Sequence, residues 1–455
     1  MDRTKISDRN LIESVNGNNH DKEYDVVIVG GGILGVTLSY WISAIPGIRV
    51  CLIEASETVG MHSSSRNTGV IHRPFYMNPE KKKLFAWASQ KSYAMWKSFA
   101  SNFNLPWNPA GTLEIAKREM DLKRLDAFSD WAIRNGMEDH EFRIFDQDEL
   151  KREYPYLEGK GAILSRTDTS VDFGLFTHAV FDAINRHNFT FMPGTFVDPG
   201  NIEGNSSTLL AVNAHKKIRL GFRHLINAAG SDSLRIAHKM GLAKDKGMIH
   251  FRGDYWKVRE NAFPEIRHNI YTIPEHPEFP FLDPHFIVRH DDSRQIGPNA
   301  APVFSAYAYE GISERLLDPL RTLFEKPILP KLELLTNREF LLLAASEWKS
   351  SLIKSEMGLR VKEFIPSFTN DVLVGRGIAG IRHSVIDKGG FMEDSMVIEG
   401  PSSTHIINYN SPGATGSPAY SANIVHNLLE SGVLGEMKTP EKGSTGTWSF
   451  EDLFS

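Results

Sequence analysis

The 455-residue sequence contains a single cysteine, Cys51. One cysteine excludes a disulfide within the chain and a zinc or iron–sulfur site built on several thiolates. Because a cysteine-poor chain suits a reducing compartment, we expect a cytoplasmic protein. Long apolar runs are also missing: the longest glycine-and-apolar stretch, residues 26–36, is shorter than the roughly 20 residues that a membrane-spanning helix needs. Residues 1–22 have no apolar core, which argues against a signal peptide.

Neither sign of charge is in excess. The chain has 51 Lys and Arg against 56 Asp and Glu, a formal net charge of −5. Without a basic stripe, the sequence does not predict nucleic-acid binding. The 17 histidines show neither an HExxH motif nor another metal-ligand spacing, so no metal site is predicted. The length, with hydrophobic residues at 41%, predicts a globular protein of two domains.

The first motif follows a predicted buried strand at residues 24–29. It consists of Gly30, Gly32 and Gly35, opens a predicted helix, and precedes a second apolar strand that ends at Glu54. In a dinucleotide-binding βαβ unit, the first glycine permits a tight turn, the second lets a pyrophosphate approach the backbone, and the third allows close helix packing. The acid is placed to accept ribose hydroxyls. The alternative is a glycine-rich turn beside a solvated glutamate.

Three further segments are rich in small residues. Residues 60–76 form a polar loop that ends in aromatics, residues 226–230 carry an apolar strand into Ala and Gly, and residues 408–417 precede a predicted helix. Each can bring backbone close to an extended cofactor, and a helix N-terminus can face an anionic group. Without the first motif, the same segments would indicate only a surface loop, a strand end and a helix N-cap.

These segments together resemble the glycine/D-amino-acid oxidase superfamily of FAD-dependent oxidoreductases, and most of all its L-2-hydroxyglutarate dehydrogenase/oxidase family. The resemblance runs from about residue 24 to 429. It depends on SSRNTGVIH at 64–72, TSVD at 169–172, INAAG at 226–230, FRGDYW at 251–256, YTIPEHPEFPFLDPHF at 271–286, IGPNA at 296–300, GRGIAGIR at 375–382 and HIINYNSPGATGS at 405–417. The sequence departs from the family pattern at Arg73, Pro284 and His383, which leaves the substrate's identity open.

The resemblance implies an α/β fold with a Rossmann-like FAD-binding domain, a mixed sheet with helices, and a substrate domain built on an antiparallel sheet with helices. We expect the FAD-binding domain to comprise residues 23–85, 160–245 and 366–437, and the substrate domain residues 86–159 and 246–365. Residues 1–22 are expected to be a disordered leader. Residues 438–455 are expected to be a flexible tail.

The motifs and the resemblance together imply a set of cofactor-binding residues on small or polar loops. We expect FAD to be bound, non-covalently, by Gly30, Gly32, Ile33, Leu34, Gly35, Glu54, Ala55, Ser64, Ser65, Arg66, Asn67, Thr68, Val197, Ala228, Ala229, Gly230, Gly380, Arg382, Pro412, Gly413, Ala414 and Thr415.

The implied reaction is oxidation of a small 2-hydroxy acid, with hydride transfer to flavin N5. Arg382, in the family's G-I-R motif, would pair with the substrate carboxylate, because a guanidinium fork matches two carboxylate oxygens. His285 is the first choice for the base and His72 the second, since a neutral histidine accepts protons near working pH. Each could also be a hydrogen-bonded core residue. Substrate contacts are expected from Arg252, Tyr255, Arg73 and Asn408.

Several alternatives remain open. An amine or amino-acid oxidase of the glycine or sarcosine type, or a glycerol-3-phosphate-type dehydrogenase, could use the same fold, and a non-catalytic flavin-binding subunit is a further option. The acceptor could be oxygen, a quinone or a carrier flavoprotein, and the oligomeric state is not predicted. The apolar stripe at 340–345 indicates either core or a peripheral contact with the inner face of a membrane.

Overall fold

The computed structural model describes residues 22–202, 208–213, 216–276, 279, 283–314, 316–434, 439–440 and 447–454. Its helices are α1 (Ile33–Ser43), α2 (Lys83–Phe103), α3 (Leu122–Arg134), α4 (Gln147–Glu153), α5 (Phe173–Asp182), α6 (Ser233–Lys239), α7 (Asp318–Phe324), α8 (Leu329–Thr336), α9 (Arg338–Leu352), α10 (Lys354–Lys362), α11 (Gly413–Glu430) and α12 (Glu451–Phe454).

The strands, in chain order, are β1 (Lys22–Val29), β2 (Val50–Ile53), β3 (Val70–Ile71), β4 (Thr112–Ala116), β5 (Phe142–Asp146), β6 (Gly161–Ser165), β7 (Thr169–Ser170), β8 (Phe189–Met192), β9 (Thr195–Ile202), β10 (Thr208–Asn213), β11 (Lys216–Asn227), β12 (Gly247–Gly253), β13 (Trp256–Val258), β14 (Asn269–Thr272), β15 (His285–Val288), β16 (Arg294–Gly297), β17 (Ala301–Val303), β18 (Leu373–Arg376), β19 (Gly380–Asp387), β20 (Gly390–Phe391), β21 (Met396–Gly400) and β22 (Ser403–Ile407).

The first sheet contains β1 at its centre and runs β21-β22-β11-β1-β2-β8 within the described residues, with β10 and β9 joined to β11. β1 is parallel to both β11 and β2. Side chains of β1 point alternately to the two faces of the sheet, and both faces are buried. Val26 and Ile28 pack with α1 and α11, whereas Val27 and Val29 pack in a separate apolar cluster on the opposite face. This burial explains the continuous apolar run, as in other helix-covered parallel sheets. The Rossmann-like expectation is confirmed.

The second sheet runs β18-β13-β16-β15-β14-β4-β6-β5. Its described pairs are antiparallel except β14 with β4, which are parallel. A third sheet, β17-β12-β19-β20, is antiparallel throughout its described pairs. The predicted α/β fold with a second, mainly antiparallel part is therefore confirmed.

The domain boundaries predicted from the sequence do not coincide with the sheets. α2 packs on α11: the Trp96 indole donates to the Thr415 carbonyl at 2.8 Å, and the Ser92 hydroxyl donates to the Gly416 carbonyl at 3.1 Å. α2 therefore joins the core of the first sheet, although most of it, residues 86–103, lies in the range assigned to the substrate domain. Conversely, β6 and β18 belong to the second sheet, although they lie in ranges assigned to the FAD-binding domain. The division into two domains stays a prediction.

The predicted disordered leader and flexible tail both differ from the structure at residues that it describes. Lys22 is the first residue of β1, so the leader cannot include it, and residues 1–21 lie outside the described part. The expected flexible tail is wrong for residues 447–454. Trp448 is buried against Trp41 and Phe99, and α12 follows it. The tail's aromatic residues therefore complete the core of the first sheet. Residues 435–438, 441–446 and 455 lie outside the described part.

Candidate active site

The turn between β1 and α1 allows very close backbone contacts. Gly30 has φ +108°, a conformation that side chains disfavour, and a Cβ there would collide with the carbonyl of Ala228. A Cβ at Gly35 would collide with the Gly30 carbonyl. The ends of β1 and β11 thus meet at backbone distance beside the N-terminus of α1. Positive partial charge at that terminus favours an anionic group such as a diphosphate.

Glu54 stabilises this turn. One carboxylate oxygen accepts the Gly31 N–H at 2.6 Å and the other accepts the Ser56 N–H at 2.7 Å. The side chain is buried, and both oxygens keep further lone pairs. Its contact with ribose hydroxyls stays a prediction.

A cavity of about 260 Å³ lies where the first and third sheets meet, at the N-termini of α1 and α11. Neither N-cap residue, Gly32 or Pro412, uses a side chain to cap its helix. Most predicted cofactor-binding residues line the cavity: Gly32, Ile33, Leu34, Ser64, Arg66, Asn67, Thr68, Ala228, Gly230, Gly380, Arg382, Pro412, Gly413, Ala414 and Thr415. Those outside the lining are Gly30, Gly35, Glu54, Ala55, Ser65, Val197 and Ala229. Of these, Val197 is buried in the core on the far side of β1.

The polar loop after β2 forms one wall of the cavity. The Ser64 hydroxyl accepts the Ile33 N–H at 2.9 Å, which ties the loop to the start of α1. The Asn67 amide donates to the carbonyls of Ser63 and Ser64 at 2.9 and 2.8 Å. The Ser63 hydroxyl donates to the Ile381 carbonyl at 3.0 Å, which ties the loop to β19. The loop is therefore a built part of the site rather than a free surface loop.

Arg382 lies on β19 and faces the cavity. Burial lowers the pKa of its guanidinium, and the nearby Tyr76 hydroxyl opposes this shift. An arginine remains charged even so, because its ordinary pKa lies far above neutral. Arg382 therefore supplies a positive charge on the wall of a partly enclosed cavity, where interaction with an anion is stronger than in bulk water.

His72 lines the same cavity. Its Nδ1 lies 2.9 Å from Oδ2 of Asp168, and its Nε2 lies 3.5 Å from the Tyr271 hydroxyl. The backbone N–H of His72 donates to the Thr415 hydroxyl at 3.1 Å. These contacts fix both the chain and the ring of His72 against α11.

His285 lies one residue layer away. Its ring stacks on Tyr271 with centroids 3.7 Å apart, and it does not line the cavity. Its Nδ1 is buried without a hydrogen-bond partner among the described residues. Burial, together with smaller contributions from the charges of His72 and Arg360, lowers its pKa to about 3. His285 is therefore neutral at working pH and poorly suited to holding a proton.

Two of the predicted substrate-binding arginines are engaged elsewhere. Arg73 makes a buried ion pair with Glu141, at 2.5 and 3.0 Å. Arg252 pairs with Asp254 at 3.1 Å and donates to the Gly311 carbonyl. Neither lines the cavity, because each guanidinium is directed to a structural carboxylate.

Tyr255 and Asn408 do line the cavity. Burial raises the pKa of Tyr255, which keeps its hydroxyl protonated. The Asn408 amide is used structurally: its oxygen accepts the Val385 N–H at 3.0 Å, and its nitrogen donates to the carbonyls of Met392 and Asp394. A substrate contact by either residue stays a prediction.

Sequence reasoning missed several polar residues beside His72. Asp168 and Glu114 are buried. Tyr76 and Tyr271 are half-buried, with ring centroids 5.8 and 5.6 Å from that of His72. Burial raises the pKa of Glu114 to about 8, and Asp168 adds to the shift. Glu114 pairs in register with Tyr271 across β4 and β14. The available signal was the sequence TLEIA, in which one acid interrupts an apolar strand.

His383, one of the residues at which the sequence departs from the family pattern, also lines the cavity. Its Nδ1 lies 3.0 Å from Nδ1 of His250, and burial lowers the pKa of both rings, to about 4 in His250. Two Nδ1 atoms at this distance need one donor and one acceptor. The pair is therefore neutral and holds opposite tautomers.

Within the described residues no group of three or more His, Cys, Asp or Glu side chains is arranged to hold a metal ion. Among the same residues, none of the helices combines the length and apolar character required to cross a bilayer. In the stripe at 340–345, Phe340 is buried whereas Leu341 and Leu342 are exposed. The peripheral membrane contact stays a prediction.

The geometry can be compared with known proteins. A family model described as "FAD dependent oxidoreductase" matches residues 25–426. The chain belongs to this family of FAD-dependent oxidoreductases. Its glycine turn, the N-termini of α1 and α11 and the loop at 63–69 fit the expected cofactor, because they border one cavity and the glycine turn allows close backbone approach.

Curated relatives carry a common name. The chain is 30% identical over 425 residues to "L-2-hydroxyglutarate dehydrogenase, mitochondrial" of Caenorhabditis elegans, covering 90% of this chain and 93% of the relative. It is 28% identical over 410 residues to "L-2-hydroxyglutarate dehydrogenase" of Indibacter alkaliphilus, covering 87% and 96%.

Among solved structures, L-alpha-glycerophosphate oxidase from Mycoplasma pneumoniae with FAD bound has a TM-score of 0.71 at 20% identity, covering 94% of this chain and 98% of that one. Glycine oxidase from Geobacillus kaustophilus has a TM-score of 0.63 at 15% identity, covering 94% and 99%. Both likenesses concern the fold alone.

Proposed function

We propose that this enzyme oxidises a small 2-hydroxy acid to the 2-oxo acid, with L-2-hydroxyglutarate as the first substrate to test. The observation that carries the proposal is the convergence of a guanidinium, on Arg382, and an imidazole, on His72, in one cavity. An anionic alcohol needs both a cation for its carboxylate and an acceptor for its hydroxyl proton. The names of the curated relatives support the same substrate class.

Bound FAD supplies the two-electron acceptor for the α-hydrogen. Arg382 would bind the substrate carboxylate through its planar fork, which fixes the α-carbon relative to the cavity wall. Its partial burial strengthens this contact, since less water competes for the guanidinium than on an open surface. Orientation of this kind is a large part of what such a site contributes.

We assign the base to His72 rather than to His285. His72 borders the cavity, whereas His285 does not. A base must also hold the proton that it accepts, and a pKa of about 3 shows that the surroundings of His285 oppose its charged form. His285 and Tyr271, stacked face to face, would instead form a rigid wall behind His72.

The test is an anaerobic panel on the FAD-loaded protein, with L-2-hydroxyglutarate, L-malate, glycerol 3-phosphate, glycine and sarcosine added separately. We expect loss of the oxidised flavin absorbance with 2-hydroxy acids and none with the amines. Bleaching by amines alone would overturn the substrate class. Bleaching by glycerol 3-phosphate alone would favour the glycerol-3-phosphate-type alternative, and no bleaching with any compound would favour a non-catalytic flavin subunit. The assay needs no external acceptor, so the open choice among oxygen, quinone and carrier does not affect it.

A further inference from the structure

Asp168 is a fully buried carboxylate beside the proposed base, with 0% of its surface exposed. It lies between β6 and β7. Its Oδ1 accepts the Ser165 hydroxyl at 2.6 Å and the Arg73 backbone N–H at 2.9 Å. Its carbonyl accepts the Gly111 N–H at 2.8 Å. The carboxylate is therefore held in place by neutral donors, with Oδ2 directed at His72.

The contact with Asp168 determines which ring nitrogen of His72 carries the proton. A carboxylate only accepts hydrogen bonds, so at 2.9 Å the Nδ1 of His72 must donate to Oδ2. In the neutral ring, Nε2 is then the unprotonated nitrogen. Its nearest described partner, the Tyr271 hydroxyl, is 3.5 Å away, which is too long for a strong hydrogen bond. The lone pair on Nε2 is thus kept available.

We propose that Asp168 is a positioning residue that holds His72 in its Nδ1–H form and stabilises the imidazolium produced during oxidation. The inference rests on the proposed function. When the substrate reacts, its O–H bond breaks and an Nε2–H bond forms on His72. The α-hydrogen leaves with its electron pair to the bound cofactor, and the hydroxyl carbon becomes a carbonyl. The positive charge on His72 then faces the buried negative charge of Asp168.

If Asp168 had only a structural role, its replacement would have different effects. If Asp168 only braced the loop at 165–168, its loss would lower stability or FAD content and affect substrates and steps alike. As a positioning residue, it should affect the rate of flavin reduction at saturating substrate much more than the substrate's dissociation constant, because Arg382 still binds the carboxylate. An amide could donate to Nδ1 and reverse the tautomer, which removes the base.

The first test uses the FAD-loaded Asp168→Asn variant in anaerobic stopped-flow experiments, with whichever substrate of the panel reduces the wild type. We expect reduction to slow by roughly 10²- to 10⁴-fold, with a dissociation constant close to that of the wild type. Asp172→Asn is the matched control, because Asp172 caps α5 through two backbone N–H groups and does not touch His72. Its rate should be unchanged. A normal rate in Asp168→Asn would overturn the inference while leaving the proposed function intact.

The second test determines the tautomer without measuring activity. In the ¹⁵N-histidine-labelled holoenzyme, the His72 signals are identified by their absence in His72→Gln. We expect a protonated Nδ1 and an unprotonated Nε2 in the resting enzyme. The reverse tautomer would overturn the inference, even if a 2-hydroxy acid reduces the flavin. In rate measurements, adding Asp168→Asn to His72→Gln should cause no further loss, whereas an additive loss would contradict action through His72.

Discussion

Replacing Arg382 by alanine should weaken the reaction through loss of carboxylate binding. The Arg382 side chain is half-buried and lines the cavity, so solvent screens its charge only in part. Two charge-assisted hydrogen bonds to a carboxylate contribute about 1.5–3 kcal/mol each. Their loss totals about 3–6 kcal/mol, and since about 1.4 kcal/mol is tenfold, kcat/KM should fall by roughly 10²- to 10⁴-fold.

The assay is anaerobic flavin reduction followed over a range of substrate concentrations, with FAD content checked by absorbance. Arg376→Ala is the matched control: this arginine is the last residue of β18, lies 3.9 Å above the Trp256 ring and does not line the cavity. Its kcat/KM should stay near that of the wild type. The reasoning is refuted if Arg382→Ala retains FAD and loses no more activity than Arg376→Ala.

Three further outcomes follow from individual contacts. Gly30→Val should yield protein that is largely free of FAD, since its side chain would meet the Ala228 carbonyl; a normal flavin-to-protein absorbance ratio would contradict this. Arg73→Met leaves Glu141 buried without its partner and should cost about 3–5 kcal/mol in denaturant unfolding, whereas an unchanged midpoint would show the pair to be dispensable. Burial lowers the pKa of His285 to about 3 in the folded protein, against an ordinary value of 6.5. Between these two values the unfolded chain binds one more proton than the folded protein, so stability should fall as the pH drops below about 6.5. His285→Phe should lose less stability than the wild type between pH 7 and 5, and an equal loss would refute the assignment.

Much of the cofactor-binding half was predictable because its signals are local. The apolar strand, the glycine spacing and the acid after the next strand lie within a short stretch of chain, and Gly30 shows the positive φ that its position requires. The loop at 63–69 and the start of α11 were found through their motifs, and both line the cavity.

The remaining parts depend on distant partners. Arg73 looked like a free cation near the substrate, yet its partner Glu141 lies 68 residues away. Asp168 could not be paired with His72 from the sequence, since 96 residues separate them. The tail looked polar and frayed, but Trp448 fills a gap beside Trp41. Such contacts follow from tertiary packing, which short sequence patterns do not encode.

The central claim is that one cavity brings a half-buried arginine and a histidine base to an anionic alcohol beside bound FAD. The most direct measurement is the anaerobic addition of L-2-hydroxyglutarate to the FAD-loaded protein, with the 2-oxo acid quantified afterwards. We predict bleaching of the flavin with one equivalent of 2-oxoglutarate formed per flavin reduced. An oxidised spectrum that persists with this and every other 2-hydroxy acid, while an amine bleaches it, would contradict the claim.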